Sequence, residues 1–320
     1  INIKKMRFLK ILKLIFFACL VIISCSKDPE TIVETVTVTE TVTVTETETV
    51  TVEADPYADS TLEGKISSDK ALSADKVWLL KGRVIVESGA TLTIPAGTVI
   101  KAEPGSGADA STLIIARGGK IDAKGTAAKP IILTSKSDNI KADGTYPTSG
   151  KSLTVDARGL WGGLLVLGKA PSSFKGDVTE LQIEGIPVTE TAGLYGGSDA
   201  ADDSGVMQYI SIRHGGAEIG EGNEINGLTL GGVGNKTVID HIEVVANVDD
   251  GIEFFGGTVD ASYLMVYGQG DDALDIDQAY SGTVDNAMVV LTAASDHGME
   301  IDGPEGSLAG SFTVKNVTIK

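Results

Sequence analysis

The chain has 320 residues, 42% of them hydrophobic but only 5% aromatic, with 39 glycines and a formal net charge of −18. That length can bury one large core or the continuous core of a solenoid, and few aromatics with many glycines favour turn-rich β structure over a helical bundle. So much negative charge makes nucleic acid and anionic headgroups poor partners and cations good ones.

The first 24 residues carry Lys4, Lys5, Arg7, Lys10 and Lys13 ahead of an apolar run from Leu14 to Ile23. A charged region followed by a short apolar one is the pattern of an export signal, and the run is half of what a membrane-spanning helix needs. Ile22-Ile23-Ser24-Cys25 resembles the bacterial lipobox, which implies cleavage before Cys25, lipidation of its thiol and lasting attachment to a membrane. Cys19 would leave with the signal, so the mature chain would keep one cysteine, already lipidated, and form no internal disulfide. Loss of the five basic residues would take the charge to −23. Ser26-Lys27-Asp28-Pro29-Glu30 is similar to the acidic tether of surface-exposed lipoproteins of the Bacteroidota. That likeness implies a place on the outer membrane, at the cell surface, with the periplasmic face as the alternative.

From Thr31 to Glu53 the chain repeats Thr-Val-Thr-Val-Thr-Glu. The alternation is a strand pattern without an obvious partner or turn, so residues 25–72 read as an extended stalk and linker. At about 3.3 Å per residue, 23 residues would reach about 75 Å. The alternative is β-pairing with a neighbouring copy.

From residue 73 to 320 short β-rich segments alternate with glycine, beginning with Val77–Leu80, Arg83–Val86 and Thr91–Ile94. No amphipathic helix intervenes, so the fold is all-β, a solenoid or a sandwich. An internal repeat favours the solenoid. Aligned without gaps, Asp249, Asp271 and Asp296 share a position, followed by Asp250, Asp272 and His297, by Gly251, Ala273 and Gly298, by the apolar Ile252, Leu274 and Met299, and by Glu253, Asp275 and Glu300. Asn226-Gly227-Leu228-Thr229 is a divergent earlier copy. Spacings of 24, 22 and 25 residues between the apolar positions match one coil of a parallel β-helix. Ile210–Ile212, Ile242–Val244, Leu264–Val266 and Met288–Val290 form a second strand per coil, and Thr237-Val238, Thr258-Val259-Asp260 and Thr283-Val284-Asp285 mark a third.

The segments "GLWGGLLVLGKAP" (159 to 171), "YGGSDAADDSG" (195 to 205), "NEINGLTLGGVG" (223 to 234) and "DDGIEFFGG" (249 to 257) resemble the right-handed parallel β-helix lipoproteins common in Bacteroidota. The resemblance implies a pectate-lyase-like β-solenoid over residues 73–320, with no established activity to carry over. The sequence stops at Lys320 in a strand pattern, and further coils are expected beyond it.

With Ile252, Leu274 and Met299 inward, alternation turns Glu253, Asp275 and Glu300 outward, together with Asp277 and Asp302 two residues on. Neighbouring coils are about 4.8 Å apart, and two charges at about 5 Å repel by roughly 3 kcal/mol at an effective dielectric of 20. Solvent screening, shared protons or a bound Ca²⁺ would relieve this ladder, with screening the first expectation. "GDDALD" and "DHG" also resemble polygalacturonase-type glycosidases, which would make Asp271, Asp272 and His297 the acid–base set. That family's Asn-x-Asp and Arg-x-Lys elements have no match, and the Asp-Asp-Gly unit recurs on every coil. The expected function is therefore a non-enzymatic acidic β-helix that binds polysaccharide, matrix or a surface protein. A polysaccharide hydrolase or lyase is the alternative. His214 and His241 lack metal-ligand spacing, the glycines of "GGVGNK" (231 to 236) read as a turn, and Trp161 reads as a core aromatic ahead of a sugar platform.

Overall fold

The computed structural model describes residues 31–39, 45–53, 56–147, 152–218 and 225–320. The export signal, Cys25 and the acidic stretch after it lie outside the described residues. The chain divides into two units, residues 1–58 and 59–320.

In the first unit, Thr31–Thr39 pairs antiparallel with Thr45–Glu53, with Thr35 opposite Thr49. The threonine-rich repeat thus finds its partner strand within itself. Alternating β-branched residues suit a pleated ladder whichever chain supplies it, and the second half of the repeat is the nearest supplier. A hairpin of nine-residue strands spans about 30 Å, so the extended reach of about 75 Å does not apply to these residues.

The second unit is a right-handed parallel β-helix. Its coils begin at Thr61–Ile66, paired in parallel with Val77–Val86, rather than at residue 73; the glycine and charges of that first strand hide its pattern. Three columns of strands run along the stack. Column A joins residues 83–86, 112–115, 164–167, 228–231, 252–255, 274–277 and 300–301. Column B joins residues 91–95, 120–124, 205–208, 238–240, 261–262, 283–285 and 313–315. Column C joins residues 77–80, 99–102, 131–133, 210–213, 242–245, 264–267, 287–290 and 317–319.

The repeat register of column A holds: Leu228, Ile252 and Leu274 are paired in succession, and Asp275 pairs with Glu300. In column B the shared level is Ile239, Ala261 and Val284. The Thr-Val matches at residues 237–238 and 258–260 are therefore out of register with Thr283-Val284: Val238 stands one residue before the shared level and is exposed, and Val259 is buried in the turn before its strand.

Columns B and C meet at a one-residue corner in the later coils. Tyr209, His241, Tyr263, Asn286 and Asn316 occupy it with φ between 50° and 59°. Asparagine tolerates this left-handed backbone, whereas tyrosine and histidine do so at some strain. Ring stacking offsets it: the His241 ring lies 4.1 Å from that of Tyr209 and 4.5 Å from that of Tyr263, nearly parallel to both.

Inward residues from all three columns form one continuous core, including Val84, Leu113, Val166, Leu230, Phe254 and Ile276 of column A. Trp161 belongs to it, with Nε1 donating to the Arg213 carbonyl at 2.7 Å, so it is no sugar platform. Gly251 shows how tightly the turns pack. A Cβ there would lie 2.4 Å from Val266 Cγ1 and 2.6 Å from the Ala273 carbonyl oxygen. Gly251→Ala is therefore expected to destabilise the protein by about 1–3 kcal/mol in urea unfolding.

Candidate functional site

The site lies on column A and in the turn that precedes it on each coil, where the Asp-Asp-Gly repeat recurs. In that repeat the second aspartate is buried and reaches to the following coil. Asp250 Oδ1 accepts the Asp272 backbone N–H at 2.9 Å, and Asp272 Oδ1 accepts the His297 backbone N–H at 2.8 Å. A carboxylate suits this task because each coil turn exposes an amide that no strand satisfies. Amide side chains pin the same turns: Asn247 Nδ2 donates to the carbonyls of Ile225 and Asp250, and Gln269 Nε2 to those of Asp271 and His297.

The three candidate acid–base residues are brought together, though on unequal terms. Asp272 is 2% exposed, with Oδ1 3.0 Å from His297 Nδ1. Asp271 and His297 face solvent. Asp271 is raised by partial burial and by the neighbouring Asp272 and Asp296 charges. His214 is buried against the Ala157 carbonyl, and burial lowers its pKa.

The outward ladder exists in register, with Glu253 beside Asp275, Asp275 beside Glu300, and Asp302 held through its N–H to the Ile276 carbonyl. Its exposure is graded. Glu300 and Asp302 face solvent, Asp275 and Asp277 are half-buried, and Glu253 is only 6% exposed. Solvent screening, the first expectation for the ladder, therefore fails at Glu253.

The cause is a cover that sequence patterning missed. Between Leu167 and Gly205 the chain leaves the solenoid, and residues 172–197 fold back over the outer face of column A. Phe174, Ile183, Ile186 and Tyr195 pack on Ile85, Ile114, Leu165, Leu167 and Phe255 as a second small core. Tyr195 meets Phe174 and Phe255 edge-on, at 5.2 and 6.0 Å, and donates to Gln278 Oε1 at 2.6 Å. The loop after Asp302 locks against the cover: the Gly306 and Ser307 amides donate to Ser173 Oγ and Asp177 Oδ1.

Burial raises the carboxyls along this strip. Asp250 is pushed up to about 9 by burial, then by the Asp249 charge. Glu253 goes well above its ordinary value through burial and the carboxylates of Glu184, Asp275 and Asp250. Asp277 rises to about 6, mainly by burial, and Glu300 to about 7, through its hydrogen bond with Asp272 and that residue's charge. Asp275, also raised by burial, shares a hydrogen bond with Glu253. The Asn226 side-chain amide, in the station equivalent to Asp250 one coil earlier, donates to Glu253 Oε2.

Two groups of carboxylates have oxygens within 4.8 Å of one another: Asp249, Asp250 and Asp271, and Asp250, Glu253 and Asp275. Of the five ladder residues expected to ligate Ca²⁺, Glu253 and Asp275 come together in this way, whereas Asp277, Glu300 and Asp302 belong to neither group. Asp250 and Asn226 were not assigned to the site from sequence. Their station in the repeat was the available signal, since both align with Asp272.

No curated protein and no solved structure matches the chain. A family model for the pectate-lyase-like beta helix domain matches residues 64–320. This span takes in all but the first three residues of the coiled stack, and the chain belongs to the pectate-lyase-like beta helix family.

Proposed function

We propose that this protein is a lipoprotein, anchored through Cys25 to the outer membrane and facing the cell surface, whose β-helix binds an extended partner without chemistry of its own. Polysaccharide, matrix and surface protein are the partner classes its acidic surface would meet. One observation carries the non-enzymatic reading: Asp272, the buried carboxylate of the candidate acid–base set, is engaged in holding the backbone of the following coil, as Asp250 is at the equivalent position one coil earlier. A residue that repeats as a structural cap is poorly free to exchange protons with a substrate. The cover over column A supports the same reading, because it occupies the outer face of the strands beside those carboxylates.

A glycan-array and matrix-protein binding screen of the full mature chain tests this reading, with saturable binding and unaltered ligand as the expected result. Mass spectrometry of the membrane fraction should show diacylglycerol and an acyl chain on Cys25, lost with Cys25→Ala. The enzymatic reading rests on a different observation. Glu300 and Asp277 are raised to about 7 and about 6, within a coil of Asp272 and His297, a direction that suits acid catalysts. Cleavage of any member of a polyuronide panel, abolished by Asp272→Asn, would establish that reading and overturn the first.

A further inference from the structure

The buried end of the acidic strip poses an electrostatic problem that its own residues leave unsolved. Asp250, Glu253 and Asp275 converge from two stations of the repeat on two coils, with carboxylate oxygens within 4.8 Å of one another. Glu253 is nine-tenths buried, and the charges acting on it are those of Glu184, Asp275 and Asp250, all of one sign. A buried carboxylate is ordinarily paired with a cation or held by several donors.

A second, independent feature points to a ligand. Asn226 is 1% exposed and sits against Glu253, to which its Nδ2 donates. The Oδ1 of that same amide has no hydrogen-bond partner, and neither does Asp275 Oδ1. Buried acceptors without donors are rare in folded proteins. A cluster that leaves oxygens unpaired while crowding carboxylates lacks a positive charge, rather than another acceptor.

We infer that Asp250, Glu253 and Asp275, with the Asn226 side-chain carbonyl, form an inter-coil site for one hard divalent cation, with Ca²⁺ the best fit. Oxygens bound at about 2.4 Å on opposite sides of one ion are about 4.8 Å apart, so the observed spacing lies within the reach of a single ion. Three carboxylates and an amide oxygen are the donors Ca²⁺ takes, in the irregular geometry it tolerates and Mg²⁺ does not. The site ties the coil of residue 253 to that of residue 275 and lies beside the cover, near Glu184 and Tyr195. It goes beyond the binding function proposed above and stands whether the protein binds or cleaves its partner.

The test uses the full mature chain, stripped with chelator at neutral pH and constant ionic strength. Ca²⁺ should raise the melting temperature saturably, Mg²⁺ much less, and calorimetry should give one tight site per chain. Tb³⁺ should replace Ca²⁺ and emit on tyrosine excitation, through Tyr195. Glu253→Gln and Asp275→Asn should each weaken Ca²⁺ binding tenfold or more and abolish most of the thermal shift, while Glu63→Gln, at the exposed first coil, should change neither. An equal thermal shift in Glu253→Gln, Asp275→Asn and the unaltered chain, or no shift in the unaltered chain, would overturn the inference. If Glu253→Gln fails to fold, Asp275→Asn alone decides.

Discussion

Kept in chelator, the protein should lose stability steadily as the pH rises from about 5 to about 9. Folding raises Asp250 to about 9, Asp277 to about 6 and Glu300 to about 7, and raises Glu253, Asp275, Asp271 and Asp202 above their ordinary values. The native state therefore holds more protons than the unfolded chain between those limits. Its stability is complete below the unfolded carboxyl range near 4 and falls as each group ionises, levelling off above the highest folded value. Across its window, one such carboxyl changes the unfolding free energy by up to about 1.4 kcal/mol per pH unit. Glu300 is exposed, and solvent reduces its share. Asp177, Asp203 and Asp285, lowered by their hydrogen bonds, act in the opposite sense, but only as the pH falls through 4. Urea unfolding at half-unit pH steps should thus show a maximum near pH 4–5. Asp250→Asn, which copies the neutral residue found at 226, should flatten the slope and raise the midpoint at pH 8. A profile rising from 5 to 8 would contradict the burial of these groups.

Tyr195→Ala should free the cover at a cost of about 3–5 kcal/mol. The ring is 1% exposed, wedged against Phe174 and Phe255, and its hydroxyl is bonded to Gln278. The cover's other large buried side chains in this core are Phe174, Ile183 and Ile186, so loss of Tyr195 is expected to act locally before it acts globally. Limited proteolysis should then cut within residues 172–197 at temperatures where the coils remain intact. Simultaneous loss of cover and coils would mean that the two cores unfold as one.

The coils were legible because their periodicity is written in residue types: an aspartate cap, a small residue and an inward aliphatic recur about every 22 to 25 positions. Column A kept its register from sequence for that reason. Column B did not, because valine at 259 is as apolar in a turn as valine at 284 is in a strand. The cover was illegible, since a segment that folds back once carries no period, and its apolar residues are spaced by the shape of what lies beneath them. The gap between Leu133 and Ile212, paired in column C, was the available sign, far longer than one coil. Missing the cover also misplaced Glu253: alternation turns it outward, and only the folded insertion makes outward mean buried. The hairpin in the first unit was hidden for the reverse reason, because a repeat that pairs equally well with itself and with a neighbour gives no local turn signal.

The caps of the Asp-Asp-Gly turns all reach the same way along the chain, each holding an amide of the coil that comes after. Asp250 fastens Asp272, and Asp272 fastens His297. The stack therefore has a grain. Tension applied from its C-terminal side loads the Asp272 clasp before the Asp250 clasp, and tension from the N-terminal side loads them in the reverse order. In a coiled body under load, the side of the pull therefore sets which of these two clasps yields first.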